Sequence, residues 1–329
     1  MPHPRSMPLI LALWYWALSS GIACVSTAVR QHKQDVVAEV PERMDVGSTA
    51  TVYPGPLDVT NQYRSTVLFE GSNGRCSGVL MTADRVLTAG HCVCAKRKVS
   101  SSDRKKLKDR RRQAFPQESA GGREKLLTTV EMINDGSQCS GSLAVFVVNH
   151  AEPPEETTGT LYLATTVHPH PHFLMLEDAQ GKAVYNEADL AILQLSSAVG
   201  EHIRPIQLPS AEVRPKQNIL LVGHGPGKTH WPEKRWGFRH VGKSRVTTLE
   251  RHPSGSTRIA ASSPEHGTRV FGGDSGGGGF LQDDDTVLVG IISATSEKHG
   301  AILESVHAQL KWLEAEGLGT PHSSQASPP

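Results

Sequence analysis

The chain has 329 residues, which is enough for one large domain or two small ones. Hydrophobic residues make up 37% of it, as in a globular protein and unlike a fibrous or intrinsically disordered one. The formal net charge of +1 excludes a dedicated nucleic-acid binder, which would be basic overall. Any charged partner must therefore bind to a local cluster of charged residues.

The N-terminus has the layout of a signal peptide. Arg5 precedes an apolar run from Pro8 to Leu18, and small residues follow as far as Ala23. The run is about a dozen residues long, too short for a hydrocarbon core that needs about 20. We therefore expect residues 1–23 to be removed on export from a bacterial cytoplasm, giving a secreted protein or one of the cell envelope, periplasmic or lipid-anchored.

The segment after the signal peptide leaves the membrane attachment open. Cleavage after Ala23 would expose Cys24, which suits the acylated first residue of a bacterial lipoprotein, although Gly21 stands where such signals usually carry Leu. A lipid anchor at Cys24 and plain secretion are both compatible with this pattern. Residues 24–55 are polar and charged, and we interpret them as a tether or propeptide.

The four cysteines after Cys24 favour disulfides over free thiols, because an exported protein meets an oxidising environment. A single residue separates Cys92 from Cys94, whereas about two to four usually separate paired zinc ligands. The histidines of segment 168–172 alternate with prolines, which enforces an extended loop. We therefore predict no metal site.

Short β-rich runs bounded by Gly, Asn and Asp turns begin at Ser65 and continue through most of the chain. Many short strands joined by turns predict an all-β barrel or sandwich. The predicted strands are 65–69, 78–81, 85–88, 143–148, 161–167, 190–195, 219–223, 244–249 and 287–292.

A strongly basic segment interrupts the strands. Between Ala95 and Arg112, ten Lys and Arg residues accompany only Asp103 and Asp109. We interpret the insert, residues 95–126, as a solvated surface loop. A docking site for anionic envelope lipid or polysaccharide and a cleavage target for a trypsin-specific protease remain alternatives. No aromatic residues are interleaved with the basic ones, so we expect no nucleic-acid partner.

Near the C-terminus, apolar residues recur at steps of three and four, which predicts a helix from about Glu304 to Glu316. These residues are Ile302, Leu303, Val306, Leu310 and Leu313. Residues 318–329 have nothing to bury and are expected to be disordered.

Three segments carry the residue types that amide hydrolysis needs: a nucleophile, a base, a group that orients the base, and donors for the oxyanion. His91 follows an apolar strand, and Asp189 stands at the entrance of a buried one. Ser275 lies in the turn Gly272–Gly279, where glycines let the backbone approach a substrate closely.

These segments read Thr-Ala-Gly-His-Cys, Asp-Leu-Ala-Ile-Leu and Gly-Asp-Ser-Gly-Gly, and they resemble the trypsin-like serine peptidases in sequence and in the order His, Asp, Ser. The resemblance covers roughly residues 60–317. It implies two six-stranded antiparallel β-barrels with a C-terminal α-helix, a peptidase domain over residues 56–317, and a monomer that hydrolyses polypeptides without a cofactor.

The resemblance also implies roles for individual residues. Ser275 would be the nucleophile, His91 the general base and then acid, and Asp189 the carboxylate that fixes the imidazole tautomer. The N–H groups of Gly273 and Ser275 would form the oxyanion hole, on the order of 3 kcal/mol per donor. Ser293 would support Asp189 at the edge of the cleft.

Further positions follow from the same resemblance. Asp274 would pair with an N-terminus freed by activation, and Thr295 would contact the substrate beside Ser293. The disulfide beside the catalytic His would be Cys76–Cys92, and with it the second would be Cys94–Cys139.

The chain also departs from the family pattern. A basic residue followed by Ile-Val-Gly-Gly is absent, which leaves the activation cut open, and segment 54–64 looks closer to bacterial glutamyl endopeptidases. Arg269 stands six positions before the nucleophile, where trypsins carry the Asp that selects Lys and Arg. A cation there predicts a preference for Glu or Asp, or for no charge if Arg269 points away.

Two other functions are compatible with the sequence. One is a catalytically silent homologue that binds an anionic partner through its basic segment, although binding alone does not require His91, Asp189 and Ser275 together. The other is an esterase whose fold places the nucleophile elbow between a strand and a helix, whereas Ser275 stands among glycines ahead of a predicted strand. We therefore predict a serine endopeptidase.

Overall fold

A computed structural model of the chain describes residues 55–71, 74–114, 128–140, 143–150, 157–200, 203, 206–225, 237–252, 254–262, 269–295 and 300–319. The chain divides into two units, Met1–Lys33 and Gln34–Pro329, and the first lies wholly outside the described residues. The predicted signal peptide, nearly all of the predicted tether and most of the C-terminal tail fall outside them as well. In the described part of the chain, no helix is both long and apolar enough to span a bilayer.

The described residues form sixteen strands, three α-helices and one 3-10 helix. The strands are β1 (Thr66–Gly71), β2 (Gly74–Thr82), β3 (Arg85–Thr88), β4 (Arg97–Lys98), β5 (Val130–Asn134), β6 (Leu143–His150), β7 (Thr157–Pro169), β8 (Leu174–Asp178), β9 (Ala183–Glu187), β10 (Ala191–Leu195), β11 (Asn218–Gly223), β12 (His240–Arg251), β13 (Thr257–Ser262), β14 (Gly278–Leu281), β15 (Leu288–Ala294) and β16 (Ala301–Ser305). The helices are α1 (Gly90–Val93), α2 (Ser101–Ala114), α3 (Leu310–Ala315) and the 3-10 helix His307–Gln309.

The first closed barrel has the strand order β1-β2-β3-β10-β7-β6, with antiparallel neighbours throughout. In β1, Val67 and Phe69 point into the barrel core and are fully buried, while the next residue, Glu70, is exposed. Leu87 and Leu193 fill the same core from β3 and β10. Burial of one face of each strand stabilises the barrel at about 25 cal/mol per Å² of apolar surface.

The second closed barrel has the strand order β11-β12-β13-β16-β15-β14, again antiparallel. Ile219, Ile259 and Leu303 belong to its core and are fully buried. Two six-stranded antiparallel barrels followed by a short C-terminal helix confirm the predicted fold class.

A third sheet, β4-β5-β8-β9, was not predicted, and it carries the basic segment. The expectation of a surface loop was wrong for Ser101–Ala114, which forms α2. Ser100 and Asp103 cap its first turn reciprocally, with N–H to oxygen distances of 2.9 and 3.2 Å. Leu107 is buried against the third sheet. A capping signal and one apolar anchor therefore make a helix of a segment whose charge suggested a solvated loop.

The predicted start of the C-terminal helix was also wrong. Ile302 and Leu303 belong to β16, which hydrogen-bonds to β13 and β15 and completes the second barrel. The apolar residues spaced by three and four thus fall partly in β16 and partly in the C-terminal helix α3, which begins only at Leu310. Closing the barrel satisfies backbone groups that an edge strand would leave unpaired, and this outweighs the local helical pattern.

A buried ion pair ties the lead-in segment to both barrels. Arg239 is fully buried just before β12, and its Nε donates to Asp58 Oδ2 at 2.7 Å. Its Nη1 donates to the carbonyl oxygen of Val148 in β6 at 2.9 Å. Asp58 also accepts hydrogen bonds from the backbone N–H groups of Gln62 and Tyr63, both at 2.9 Å. Each charge is thus compensated without water.

We predict that Arg239→Met lowers the free energy of unfolding by about 3–5 kcal/mol, because it leaves Asp58 buried without its counter-charge. Urea denaturation measures the change. The exposed Arg245 provides a control, and Arg245→Met should cost no more than about 0.5 kcal/mol. Equal small losses in both variants would contradict a structural role for the buried pair.

Candidate active site

The carboxylate of Asp189 is the most heavily hydrogen-bonded group of the site, and it is fully buried before β10. Its Oδ1 accepts from the backbone N–H of His91 at 2.8 Å, and its Oδ2 accepts from His91 Nδ1 at 2.7 Å. Ser293 Oγ, from β15 of the second barrel, donates to Oδ2 at 2.6 Å. Because a carboxylate only accepts, this geometry keeps the imidazole proton on Nδ1 and leaves Nε2 facing away from Asp189.

The two partners shift each other's ionisation. Burial alone would raise the pKa of Asp189, but the His91 charge and the hydrogen bonds from His91 and Ser293 hold it below its ordinary value. Burial alone would lower the pKa of His91, but the adjacent Asp189 carboxylate raises it above 6.5. The His91 side chain is 18% exposed, so one edge of the ring reaches the surface of the cleft. The site therefore pairs an ionised Asp189 with a His91 imidazole that is more basic than usual.

Ser275 lies in a turn whose backbone is attached to both barrels. Its carbonyl oxygen accepts from Ser77 N–H of β2 at 2.8 Å, and the next residue, Gly276, donates from N–H to Ile292 O of β15 at 2.7 Å. Gly276 has a φ of +84°, and a Cβ there would lie 2.0 Å from the carbonyl oxygen of Ser77. Only glycine fits this close approach.

His91 and Ser275 line one pocket of about 680 Å³. Its other lining residues are Glu70, Gly74, Arg75, Cys76, Gly272 and Gly273. His91 from the first barrel and Ser275 from the second barrel thus face the same cleft. A pocket of this size accommodates side chains of a bound peptide.

The turn before Ser275 supplies two unused donors. Gly273 has a φ of +102°, and its carbonyl oxygen accepts from Ser77 Oγ at 2.7 Å. Within the described part of the chain, the N–H groups of Gly273 and Ser275 have no protein acceptor. Both donors remain available for a ligand oxygen, as an oxyanion hole requires.

Asp274, predicted to be linked to activation, is buried beside the turn. Its Oδ1 accepts from Gly225 N–H at 2.7 Å and its Oδ2 from Phe271 N–H at 2.9 Å. Burial raises the pKa of Asp274 to about 6, against the effect of these two hydrogen bonds. Among the described residues, no cation lies within ion-pair distance of it. The sequence leaves the activation cut open, so pairing of Asp274 with a freed N-terminus stays a prediction.

The two remaining predicted substrate contacts are not among the residues that line this pocket. Thr295 is exposed, and its Oγ1 donates to the carbonyl oxygen of Gly300 at 2.9 Å. Arg269 is also exposed, and it is not among the residues that line the pocket of His91 and Ser275. The predicted preference for acidic residues therefore stays a prediction.

The disulfides join Cys76 to Cys92 and Cys94 to Cys139. Among the described residues, the cluster Cys76, His91 and Cys92 is compact enough to hold a metal ion, but the disulfide occupies both sulfurs. The disulfide instead links β2 to the short helix that carries His91.

The histidines of segment 168–172 do not converge on a common point. His168 pairs with Glu316 at 3.4 Å, whereas His170 is buried against the ring of Trp312. Burial lowers the pKa of His170 to about 4, so this residue is neutral near pH 7. These contacts are structural.

Sequence reasoning missed two supporting residues. Asn186 Nδ2 donates to Ser293 Oγ at 2.8 Å and lies 3.5 Å from Asp189 Oδ2. Ser77 accepts from His224 N–H at 2.9 Å in addition to its bonds with the Ser275 turn. Asn186 lies three residues before Asp189, and Ser77 follows Cys76, but their partners come from distant parts of the chain, so no local spacing signals their roles.

Comparisons with known proteins agree with this architecture. A family model described as "Trypsin-like peptidase domain" matches residues 76–291. Among solved structures, mouse neuropsin, described as a serine protease expressed in the limbic system of the brain, is similar with a TM-score of 0.52 and 15% identity, over 80% of this chain and 98% of the other. No curated protein sequence is significantly similar to the chain.

The fold is that of the chymotrypsin-like proteins. The family match covers well over half of the chain, and the chain belongs to the trypsin-like peptidase family. The resemblance inferred from the three motifs is thereby confirmed, while a place near the glutamyl endopeptidases stays a prediction.

We predict that Gly276→Ala strongly destabilises the protein, by more than about 3 kcal/mol, because its Cβ would collide with a carbonyl oxygen in a backbone conformation that favours glycine. Thermal unfolding measures the loss. Gly272→Ala is the matched control in the same turn, since a Cβ there meets nothing within 4 Å. If Gly276→Ala and Gly272→Ala unfold at the same temperature, the close approach at Gly276 does not make glycine necessary in the turn.

Proposed function

We propose that the protein is a serine endopeptidase that cleaves polypeptides through Ser275, His91 and Asp189 by way of an acyl-enzyme. The observation that carries the proposal is a buried Asp189 bound to His91 Nδ1 at 2.7 Å, with His91 and Ser275 lining one pocket. Family membership supports the same reaction class.

In the first half of the reaction, Ser275 Oγ attacks the carbonyl carbon of the peptide bond, and its proton passes to His91 Nε2. The carbonyl oxygen gains negative charge, and the N–H groups of Gly273 and Ser275 stabilise it by about 3 kcal/mol each. His91 then gives its proton to the departing amine, which leaves an ester at Ser275. Water hydrolyses the ester by the same steps with His91 again as the base.

Asp189 acts through its charge and its hydrogen bonds. The hydrogen bonds from His91 and Ser293 keep its pKa low, so it stays ionised while His91 becomes an imidazolium. Its negative charge stabilises that imidazolium in the transition state. Ser293 holds the carboxylate in line with the ring, and Asn186 holds Ser293.

One observation favours the alternative of a catalytically silent homologue that binds an anionic partner. Lys105, Lys106 and Lys108 are exposed on α2, whereas Arg104 and Arg110 turn inward to Val130 O, His172 O and Glu187. This outward cationic face fits an anionic surface. It does not account for the hydrogen bond between Asp189 and His91 beside a pocket that Ser275 also lines, so we retain the peptidase.

We also propose export, to the cell envelope or beyond it. The N-terminal signal-peptide pattern and the two disulfides support this location, because disulfides persist in oxidising compartments. Lipidation at Cys24 would add an anchor to the same protein.

We predict that a fluorophosphonate probe labels the wild-type protein and that Ser275→Ala abolishes labelling and hydrolysis of quenched fluorescent casein. His91→Ala should slow labelling by about 10³-fold or more, since the hydroxyl loses its base. Ser102→Ala, on the exposed first turn of α2, is the control and should behave as wild type. Undiminished labelling of Ser275→Ala would refute the assignment of the nucleophile.

The pH dependence follows from the raised pKa of His91. Because only neutral His91 accepts a proton, kcat/KM should rise with pH through a midpoint above 6.5. Asp189→Asn should lower kcat by about 10⁴-fold and move the midpoint down, since the anion that raises the pKa of His91 is gone. Rate measurements across the acid limb test both effects, and an unmoved midpoint in Asp189→Asn would contradict the coupling.

A further inference from the structure

Glu304 is a fully buried acid that the proposed reaction does not use. It lies on β16, where it pairs with Arg258 of β13 on one side and Ile291 of β15 on the other. Its neighbour Leu303 points into the core of the second barrel, so Glu304 points to the opposite face of the strand. Ile291, the partner of Glu304 on β15, belongs to the same core cluster as Leu190, the residue after Asp189.

The carboxyl group of Glu304 has no adequate partner. Among the described residues, neither Oε1 nor Oε2 accepts a hydrogen bond of normal geometry. The backbone N–H of Asp189 is close enough to favour the ionised form, but the Asp189 carboxylate opposes ionisation more strongly. A buried, unpartnered polar group of this kind is rare and calls for a physical explanation.

The nearest cation does not neutralise Glu304. Arg258 Nη2 donates to Glu250 Oε2 at 2.6 Å, while its buried Nε has no partner among the described residues. Glu187, the remaining charged neighbour, adds negative charge, although Arg110 pairs with it at 2.9 Å. Glu304 therefore faces two carboxylates and one arginine that is already committed.

No further charge offsets this balance. On β15, the facing residue Ile291 is apolar. His252, which lies beyond Arg258, has neither ring nitrogen hydrogen-bonded among the described residues, and burial lowers its pKa, so it is neutral near pH 7.

Asp189 and Glu304 differ sharply in the donors around them. Asp189 accepts from His91 twice and from Ser293, all within 2.8 Å, and Glu304 has no such donor. Ionisation of both of two neighbouring buried carboxyl groups is unfavourable because their negative charges repel each other. Different surroundings then give the two groups different pKa values. Burial, together with the Asp189 charge, raises the pKa of Glu304 to about 8.

We propose that Asp189 and Glu304 form a buried carboxyl pair that carries one negative charge, held at Asp189, and that neutral Glu304 is a positioning residue for Asp189. Ionisation of Glu304 would place a second charge beside Asp189 and loosen its hydrogen bonds with His91 and Ser293. The catalytic consequence rests on the proposed peptidase function, whereas the ionisation of the pair does not.

The stability of the protein should report the proton on Glu304. The folded-state pKa is about 8 and the ordinary value is 4.5, so the native state holds an additional proton between these pH values. The contribution of Glu304 to the free energy of unfolding is therefore fully present below about pH 4.5, declines as pH rises through this window, and levels off above about 8. Glu304→Gln replaces the acid by a neutral side chain of the same shape, so it should remove this decline of the free energy of unfolding with pH.

The first experiment compares urea unfolding from about pH 5 to about pH 9 in a Ser275→Ala background, which prevents autolysis. We expect the stability of Glu304→Gln relative to its parent to increase steadily up to about pH 8. Glu314→Gln, an exposed acid on α3, makes the same charge change and should show no such trend. Parallel pH curves for Glu304→Gln and its parent would overturn the proposed pair.

The second experiment measures kcat/KM against pH in the active protein. We expect the wild type to lose activity as Glu304 ionises, and Glu304→Gln to retain it about 0.5 unit or more further into the alkaline range, with a neutral-pH rate within about threefold. An unmoved alkaline limb would overturn the positioning role while leaving the peptidase intact. Absence of activity in the wild type would instead refute the proposed function, and the unfolding comparison would still decide the carboxyl pair.

A direct titration covers the case in which Glu304→Gln fails to fold. Carbon-13 NMR of the Ser275→Ala protein labelled at glutamate carboxyl carbons should show one carboxyl group that titrates near pH 8. If every glutamate titrates below about pH 6, Glu304 is ionised at neutral pH and the proposal is wrong.

Discussion

The structure depends on one buried charge. Asp189 sits where the two barrels meet, and it accepts hydrogen bonds from His91 of the first barrel and from Ser293 of the second. A carboxylate without such donors would cost several kcal/mol in this position. The relative placement of the barrels therefore holds the anion, and the anion in turn orients the imidazole. Glu304 is also fully buried, but among the described residues its carboxyl oxygens have no hydrogen-bond donor.

The turn that carries Ser275 depends on a second constraint, because a residue with a side chain would not fit at Gly276. Gly276 lets the turn approach Ser77, whose N–H and Oγ bind the carbonyl oxygens of Ser275 and Gly273. The glycines thus bring the backbone of the second barrel against β2 of the first. Among the described residues, the same packing leaves the N–H groups of Gly273 and Ser275 without protein acceptors, so one arrangement fixes the turn and leaves both donors available.

Much of the fold and of the site could be predicted from residue patterns. Short β-rich runs bounded by turn residues identify strands such as β1, because β-branched and aromatic residues favour strands. The spacing of motifs around His91, Asp189 and Ser275 identified candidate groups without coordinates. Local reasoning failed at α2, where charge concealed a capped helix, and at β16, where apolar spacing imitated a helix. At β16, contacts with distant strands outweigh the local pattern.

The amino-acid sequence by itself determined the all-β class, the three chemical groups of the proposed triad and the glycines that their turn requires, because these depend on residue type and short-range spacing. Tertiary structure alone decided that Asn186 and Ser77 support the site, that the basic segment folds onto a third sheet, and that Glu304 lies beside Asp189. Those outcomes depend on which faces of distant strands meet. Burial and charge act through space, so groups separated by more than a hundred residues set each other's ionisation.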